Sequence, residues 1–182
     1  MRIHSSALMA SLVGALTLSA CSPAQNWRDV ALEGTPLKVQ LPCKPDRTTR
    51  IVPLGGVAVD LQVVGCESGS AMVAVMTASL PPGADASGVM AAWQKATLDN
   101  ARVAQALTAS QQQVWHRPGQ LPLAASLRIQ AIGQRANGEP VNVDAVWGAV
   151  GEGNRVRLVH AVLYDAQPTA ELANTLFDGI KP

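Results

Sequence analysis

Apolar and polar residues alternate in short runs along the chain, a pattern that predicts β-strands. Successive side chains of a strand lie on opposite faces, so alternation gives each strand one buried face. Runs of this kind occupy residues 37–41, 48–52, 57–64, 72–76, a short stretch around Val114, and residues 123–133, 141–147 and 155–164.

Two pairs of runs flank short turns that contain glycine, and they predict β-hairpins. Residues 67–70 separate the first pair, and residues 151–154 separate the second. Pairing across these turns predicts four sets of cross-strand neighbours: Val63 with Ala74, Leu61 with Met76, Trp147 with Leu158, and Ala145 with His160.

Between the two groups of strands the apolar period lengthens to that of a helix. Asp85 or Ser87 provides an N-cap, and the pattern predicts a helix over about residues 86–108. A shorter helix is predicted from residue 168 or 169 to a stop at Gly179. The apolar side of the long helix carries Val89, Trp93, Ala96, Val103 and Leu107.

This order of elements predicts an α+β fold: an antiparallel sheet with one long helix and a short C-terminal helix packed on it. Three features carry a family resemblance: the strand end Val39-Gln40-Leu41-Pro42, the strand–proline–helix passage at residues 72–107, and the terminal helix at residues 171–177. With them, residues 35–180 resemble the PsbP-like α/β/α sandwich, which small Ran-binding nuclear-import factors share. The resemblance implies an accessory or assembly protein more often than an enzyme.

The N-terminal residues have the features of an export signal. A basic start is followed by an uncharged, mostly apolar stretch at residues 7–20, which is shorter than the roughly 20 residues of a membrane-spanning helix. The sequence Leu18-Ser19-Ala20-Cys21 then resembles a bacterial lipobox. This resemblance implies cleavage before Cys21 and fatty acylation of that cysteine. The alternative is an ordinary secreted protein cleaved near Ala20.

This leader predicts a division of the chain into a signal peptide at residues 1–20, a lipidated tether at residues 21–26 and one domain at residues 27–182. Two or more acyl chains anchor a protein stably to a membrane, whereas one does not. Ser22 stands after the cysteine, where an aspartate would resemble an inner-membrane retention signal. We therefore expect a location in the bacterial envelope, at the outer membrane and facing the periplasm.

Charge excludes one class of partner. The chain has 14 Lys and Arg against 13 Asp and Glu, a net charge of +1. Nucleic-acid binding relies on many cationic contacts with phosphates, so no nucleic-acid partner is expected. The expected partners are the membrane, through the N-terminal lipid, and a protein of the envelope.

Once Cys21 is assigned to lipid, Cys43 and Cys66 form an even pair in an exported protein. A structural disulfide is the favoured interpretation, since no histidine stands near either cysteine to complete a metal site or to activate a thiol. The loop that it closes predicts a stabilisation of about 3.4 kcal/mol from chain entropy.

Two histidines remain after removal of the leader. His160 is in phase with apolar residues of its run, which favours a partly buried, hydrogen-bonded histidine over a catalytic one. The loop Trp115-His116-Arg117 is a candidate binding loop, because tryptophan and arginine are frequent binding anchors. An ordinary exposed turn remains the alternative.

No sequence motif for catalysis or for a metal or organic cofactor is present. Trp93 and Trp147 are expected to meet in the core, and four charged residues of the strands are expected to be solvated: Asp60, Asp144, Arg155 and Arg157. The sequence therefore favours a non-enzymatic, lipid-anchored envelope protein that binds or assembles another envelope component. The alternatives are a small-ligand carrier with a cavity between sheet and long helix, or a hydrolase with an unrecognised site.

Overall fold

The computed structural model describes residues 25–104 and 106–181. The predicted signal peptide, the lipidated Cys21 and the sorting residue Ser22 lie outside these residues. No helix in the described part of the chain combines the length and apolar character needed to cross a membrane.

The described residues form two α-helices and nine β-strands, with a 3₁₀ turn at Ala109–Gln111. The helices are α1 (Ala86–Asn100) and α2 (Ala170–Asp178). The strands are β1 (Arg28–Ala31), β2 (Lys38–Leu41), β3 (Asp46–Leu54), β4 (Val57–Ser68), β5 (Ala71–Ser79), β6 (Gln112–Val114), β7 (Leu127–Gln134), β8 (Pro140–Glu152) and β9 (Arg155–Asp165).

Seven of the strands form one antiparallel sheet, in the order β3-β4-β5-β9-β8-β7-β6, while β1 and β2 pair with each other. Alternate residues of β5 contact two different cores. Val73 and Val75 pack with the β1–β2 hairpin and α2, whereas Ala78 packs with α1. The sheet is therefore covered on both faces, and the predicted α+β fold of an antiparallel sheet with two packed helices is confirmed.

Both predicted hairpins form, but their registers are shifted by two residues from the prediction. The turns are tighter than expected, because only Gly69-Ser70 and Gly153-Asn154 separate the paired strands. The first glycine of each turn has a positive φ, 62° and 63° respectively, which glycine adopts without steric cost. The observed pairs are Val63 with Met76, Leu61 with Ala78, Trp147 with His160, Ala149 with Leu158, and Ala145 with Val162.

The long helix begins where predicted, with the Asp85 side chain accepting a hydrogen bond from the Gly88 N–H, but it ends at Asn100. The prediction of helix to residue 108 is wrong. Arg102 adopts a left-handed φ of 52°, and the Val103 N–H donates back to the Leu98 carbonyl. These contacts form a Schellman cap, which ends the helix.

The disulfide between Cys43 and Cys66 is present, with a distance of 6.0 Å between the two Cα atoms. It joins the segment after β2 to β4, and both cysteines pack against the core beneath the β1–β2 hairpin. The predicted C-terminal helix is also confirmed, with Thr169 as its N-cap and Gly179 as its C-cap.

Candidate functional site

His160 lies at the centre of the α1 side of the sheet, between two tryptophan rings. Trp147 is its cross-strand partner and stacks on it, with the ring centroids 4.3 Å apart and the planes 6° from parallel. Trp93 of α1 meets the imidazole edge-on at 5.2 Å. The two tryptophans are buried as expected, with the histidine between them.

The surroundings of His160 keep its ring neutral. Its Nδ1 lies 3.0 Å from the Val146 carbonyl, an acceptor, so this nitrogen carries the proton and donates. Nε2 then accepts from the Thr97 hydroxyl at 3.4 Å. Burial lowers the pKa of His160 to about 4, because no counter-charge stabilises an imidazolium there. The arrangement suits a structural role in the core.

A cleft of about 300 Å³ opens beside this cluster, between α1 and the sheet. A second cleft, of about 360 Å³, adjoins it at the end of the helix and shares Asn100 and Tyr164 as lining residues. We call the two together the α1 cleft. Most of the first part is apolar, with Val52, Leu54, Leu61, Met76, Trp93 and Ala96 among its lining residues.

The early end of α1 accounts for this cleft. A helix of 15 residues is about 22 Å long, so it covers only part of the sheet. Beyond Asn100 the chain turns towards β7, where the Gln134 N–H donates to the Ala101 carbonyl at 2.8 Å. Met72 and Tyr164 are left partly exposed on the uncovered part.

Tyr164 supplies a hydroxyl group to the cleft wall. Burial raises the pKa of Tyr164, so the hydroxyl retains its proton and remains a hydrogen-bond donor. No partner for this hydroxyl is found among the described residues. The second part of the cleft also contains Arg135, the one residue with a charged side chain among those that line either part.

The predicted loop of Trp115, His116 and Arg117 lies on the opposite side of the sheet. Trp115 is only 4% exposed, and it packs with α2 and the β1–β2 hairpin. Arg117 stacks over Trp115 and forms an ion pair with Asp178 of α2. Only His116 is fully on the surface, so binding at this loop remains a prediction that now depends mainly on His116.

Two of the four charges expected to be solvated are buried instead. Asp144 accepts two hydrogen bonds from Arg128, at 2.8 and 2.6 Å, and Arg157 pairs with Glu152 at 2.7 Å. Hydrogen bonding from Arg157 lowers the pKa of Glu152. The expectation failed because β8 and β9 are central strands with both faces covered. Asp60 and Arg155 are exposed, as expected.

Within the described ranges, no group of three or more His, Cys, Asp or Glu residues is arranged to hold a metal ion. No family model, curated protein or solved structure matches this chain. The function is therefore inferred from the geometry above.

Proposed function

We propose that the protein is a lipid-anchored protein of the bacterial envelope, at the outer membrane and facing the periplasm, which acts by binding another envelope protein. The leader, the lipobox-like sequence before Cys21 and the Ser22 that follows support the location. The sheet covered on both faces is compatible with the proposed PsbP-like sandwich, whose members are more often accessory proteins than enzymes.

The open edge of the sheet at β3 is the observation that best supports partner binding. β3 pairs with β4 alone, and its first six residues are exposed. Leu54 and Val57 flank a two-residue turn and form a hydrogen-bonded pair, so every second residue of β3 from Leu54 bonds to β4. The residues between them, including Ile51, direct their backbone N–H and C=O groups away from β4. Such an edge binds an extended segment of another protein by adding a strand.

Photo-cross-linking in cells tests this proposal. A benzophenone amino acid at Ile51, which is 77% exposed, should capture an envelope protein. The same amino acid at Met72, which is 42% exposed on β5 with strand neighbours on both sides, is the control and should capture far less. Ile51→Lys should abolish the adduct formed from a probe at Thr49. Equal capture from Ile51 and Met72 would contradict strand addition at β3.

The lipid anchor is tested separately through Cys21. Replacement Cys21→Ala removes the thiol that carries the diacylglyceryl group, so we expect either protein released from the membrane fraction or an uncleaved precursor. Fractionation and electrophoretic size give the result. A variant that fractionates with membranes and migrates as the parent does would disprove the anchor.

The α1 cleft supports a second candidate function, a carrier of a small ligand. Binding sites for small molecules are typically concave and mostly apolar, with a few polar groups, and have volumes of about 300–1,000 Å³. The cleft has this character. Mass spectrometry of organic extracts from protein purified out of cells should find a co-purifying small molecule, and Ala96→Phe, which fills the cleft, should remove it.

A further inference from the structure

The shape and polarity of the α1 cleft fit a ligand with a long apolar part and a single polar end. The first part of the cleft lies between α1 and four strands, and aliphatic and aromatic side chains form most of its wall. The first part also contains Thr97 and His160, but these two side chains bond to each other and to the Val146 carbonyl. The polar groups that remain for a ligand are Asn100 and Tyr164, where the two parts meet, and Gln134 and Arg135 in the second part.

The cleft contains one positively charged side chain, which favours a negatively charged polar end on the ligand. Arg135 is half-buried, and one of its nitrogens, Nη2, lies 3.3 Å from the Ser70 carbonyl. A guanidinium has five N–H donors, so this bond leaves others for a ligand. No Asp or Glu lines either part of the cleft. Guanidinium groups recognise carboxylates by paired hydrogen bonds, which favours a carboxylate as the polar end.

The α1 cleft lies near the start of the domain, and therefore near the membrane that would supply such ligands. The Asn26 N–H donates to the Pro42 carbonyl, next to the disulfide of Cys43 with Cys66. Cys66 and Met72 border a shallow depression of about 550 Å³, and Met72 also lines the α1 cleft. Four residues from Cys21 to Gln25 reach at most about 14 Å. The chain start and the disulfide lie on the face of the sheet opposite to α1, but at the same end of the sheet as Met72, so lipidation at Cys21 would hold this end of the protein close to a bilayer.

We propose that the α1 cleft binds a long-chain fatty acid released from the membrane, with its acyl chain beneath α1 and its carboxylate at Arg135. This inference rests on the proposed carrier function and specifies its ligand. The Tyr164 hydroxyl, which makes no hydrogen bond to the described residues, donates a second hydrogen bond to the carboxylate.

Fluorescence of cis-parinaric acid, a polyene fatty acid, measures the binding directly. The protein for this measurement begins at residue 21 and is exported by a conventional, cleavable leader. The substitution Cys21→Ala prevents acylation, so the protein contains every residue of both cores but no acyl chain of its own. We expect saturable binding that palmitate displaces at least tenfold more effectively than hexadecanol does. No binding by protein with an intact disulfide and native circular dichroism would overturn the proposal.

Two variants on one helix locate the site. Ala96→Phe projects a ring into the cleft and should abolish binding, whereas Ala91→Phe, at an exposed position of α1 outside the cleft lining, should leave it unchanged. Equal effects of the two substitutions would overturn the assignment to this cleft.

A third variant tests the carboxylate. Arg135→Gln should weaken palmitate binding about tenfold, the loss expected for one charge-assisted hydrogen bond, and leave hexadecanol binding unchanged. An unchanged affinity for palmitate would refute the role of Arg135. A different co-purifying molecule in the extracts, together with no binding of parinaric acid, would refute the fatty acid but leave the carrier function standing.

Discussion

At the scale of single residues, the buried histidine and the buried charged side chains bond to specific neighbours, whereas the indole N–H groups of Trp115 and Trp147 have no hydrogen-bond partner among the described residues. His160 is held by the Val146 carbonyl and the Thr97 hydroxyl, and Asp144 is held by Arg128 and Gln130. Burial without such partners costs several kcal/mol, so each of these groups constrains the protonation or charge state in which the protein is stable.

The buried His160 should make stability fall with acidification. Its pKa is about 4 in the folded state against about 6.5 when unfolded, so the unfolded chain binds the proton more readily. The stability that the neutral His160 contributes is fully present above pH 6.5 and is lost as the pH falls towards 4. In total, the free energy of unfolding should fall by about 3 kcal/mol over this range. Urea unfolding across this range measures it. His160→Gln should flatten this part of the profile, and His116→Gln should not; identical profiles for all three proteins would contradict the assignment.

The ion pair of Arg128 with Asp144 should contribute far more to stability than the surface pair of Lys95 with Asp99. Asp144→Ala leaves a mostly buried guanidinium without its partner and should lower the free energy of unfolding by about 3 kcal/mol. Asp99→Ala breaks a solvent-exposed pair and should change it by less than about 1 kcal/mol. Chemical denaturation of both variants gives the comparison, and similar losses would show that Asp144 is effectively solvated.

At the scale of elements, the end of α1 is decided by a neighbouring strand. The Ala101 carbonyl accepts from Gln134 of β7, and Gly133 allows the close approach, since a Cβ atom there would lie 2.2 Å from the same carbonyl oxygen. The chain must therefore leave the helix at Arg102 in a left-handed conformation. Glycine is the usual residue at this position of a Schellman cap. Because an arginine stands there instead, the sequence pattern does not indicate that the helix ends at Asn100.

Arg102→Gly should stabilise the protein by up to about 1 kcal/mol, because glycine relieves the steric cost of a left-handed φ. The loss of the hydrogen bond from Arg102 to the Arg135 carbonyl, which is 3.3 Å long and exposed, offsets part of this gain. The control is Ala101→Gly, at a buried position with a φ of −77°, which should destabilise the protein. Thermal unfolding compares the two; destabilisation by both would contradict the cap geometry.

At the scale of the whole molecule, the sheet is a central layer between two cores, and the disulfide secures one of the outer layers. The β1–β2 hairpin has no strand partner in the sheet. Its attachment comes from side-chain packing, from the Arg47 side chain that donates to the Ala31 carbonyl, from a backbone bridge between Lys38 and Lys181, and from the covalent bond between Cys43 and Cys66. Loss of the disulfide should therefore loosen the β1–β2 hairpin before the rest of the protein.

The double variant Cys43→Ala/Cys66→Ala should lower the free energy of unfolding by about 3 kcal/mol or less, since disulfides often stabilise a protein by less than the chain-entropy value. Hydrogen exchange should accelerate first at residues 35–50, while amides of β8 and β9 keep their protection. Thiol titration of unfolded, unreduced protein taken from the envelope provides an independent check. Two free thiols per molecule would exclude the bond.

The sequence alone was sufficient for features that depend on local pattern and chemistry. Alternation located the strands of the described residues except β1, which was not predicted. Asp85 or Ser87 and Pro168 or Thr169 marked the helix starts, and the export context paired Cys43 with Cys66. The contact of Trp93 and Trp147 with one core also followed from the apolar phase. The candidate loop at Trp115 was recognised only by composition, which cannot tell a buried anchor from an exposed one.

The tertiary structure decided whatever depends on neighbours distant in sequence. The hairpin registers moved by two residues, a shift that keeps every side chain on the same face and therefore leaves the alternation unchanged. That shift is what places His160 opposite Trp147. The alternation over residues 141–147 predicted one buried face and a solvated Asp144, whereas residues 143–150 are buried on both faces because β8 lies between two covering layers. The α1 cleft exists because β7 ends the helix at Asn100, a contact between segments more than 30 residues apart that no local pattern encodes.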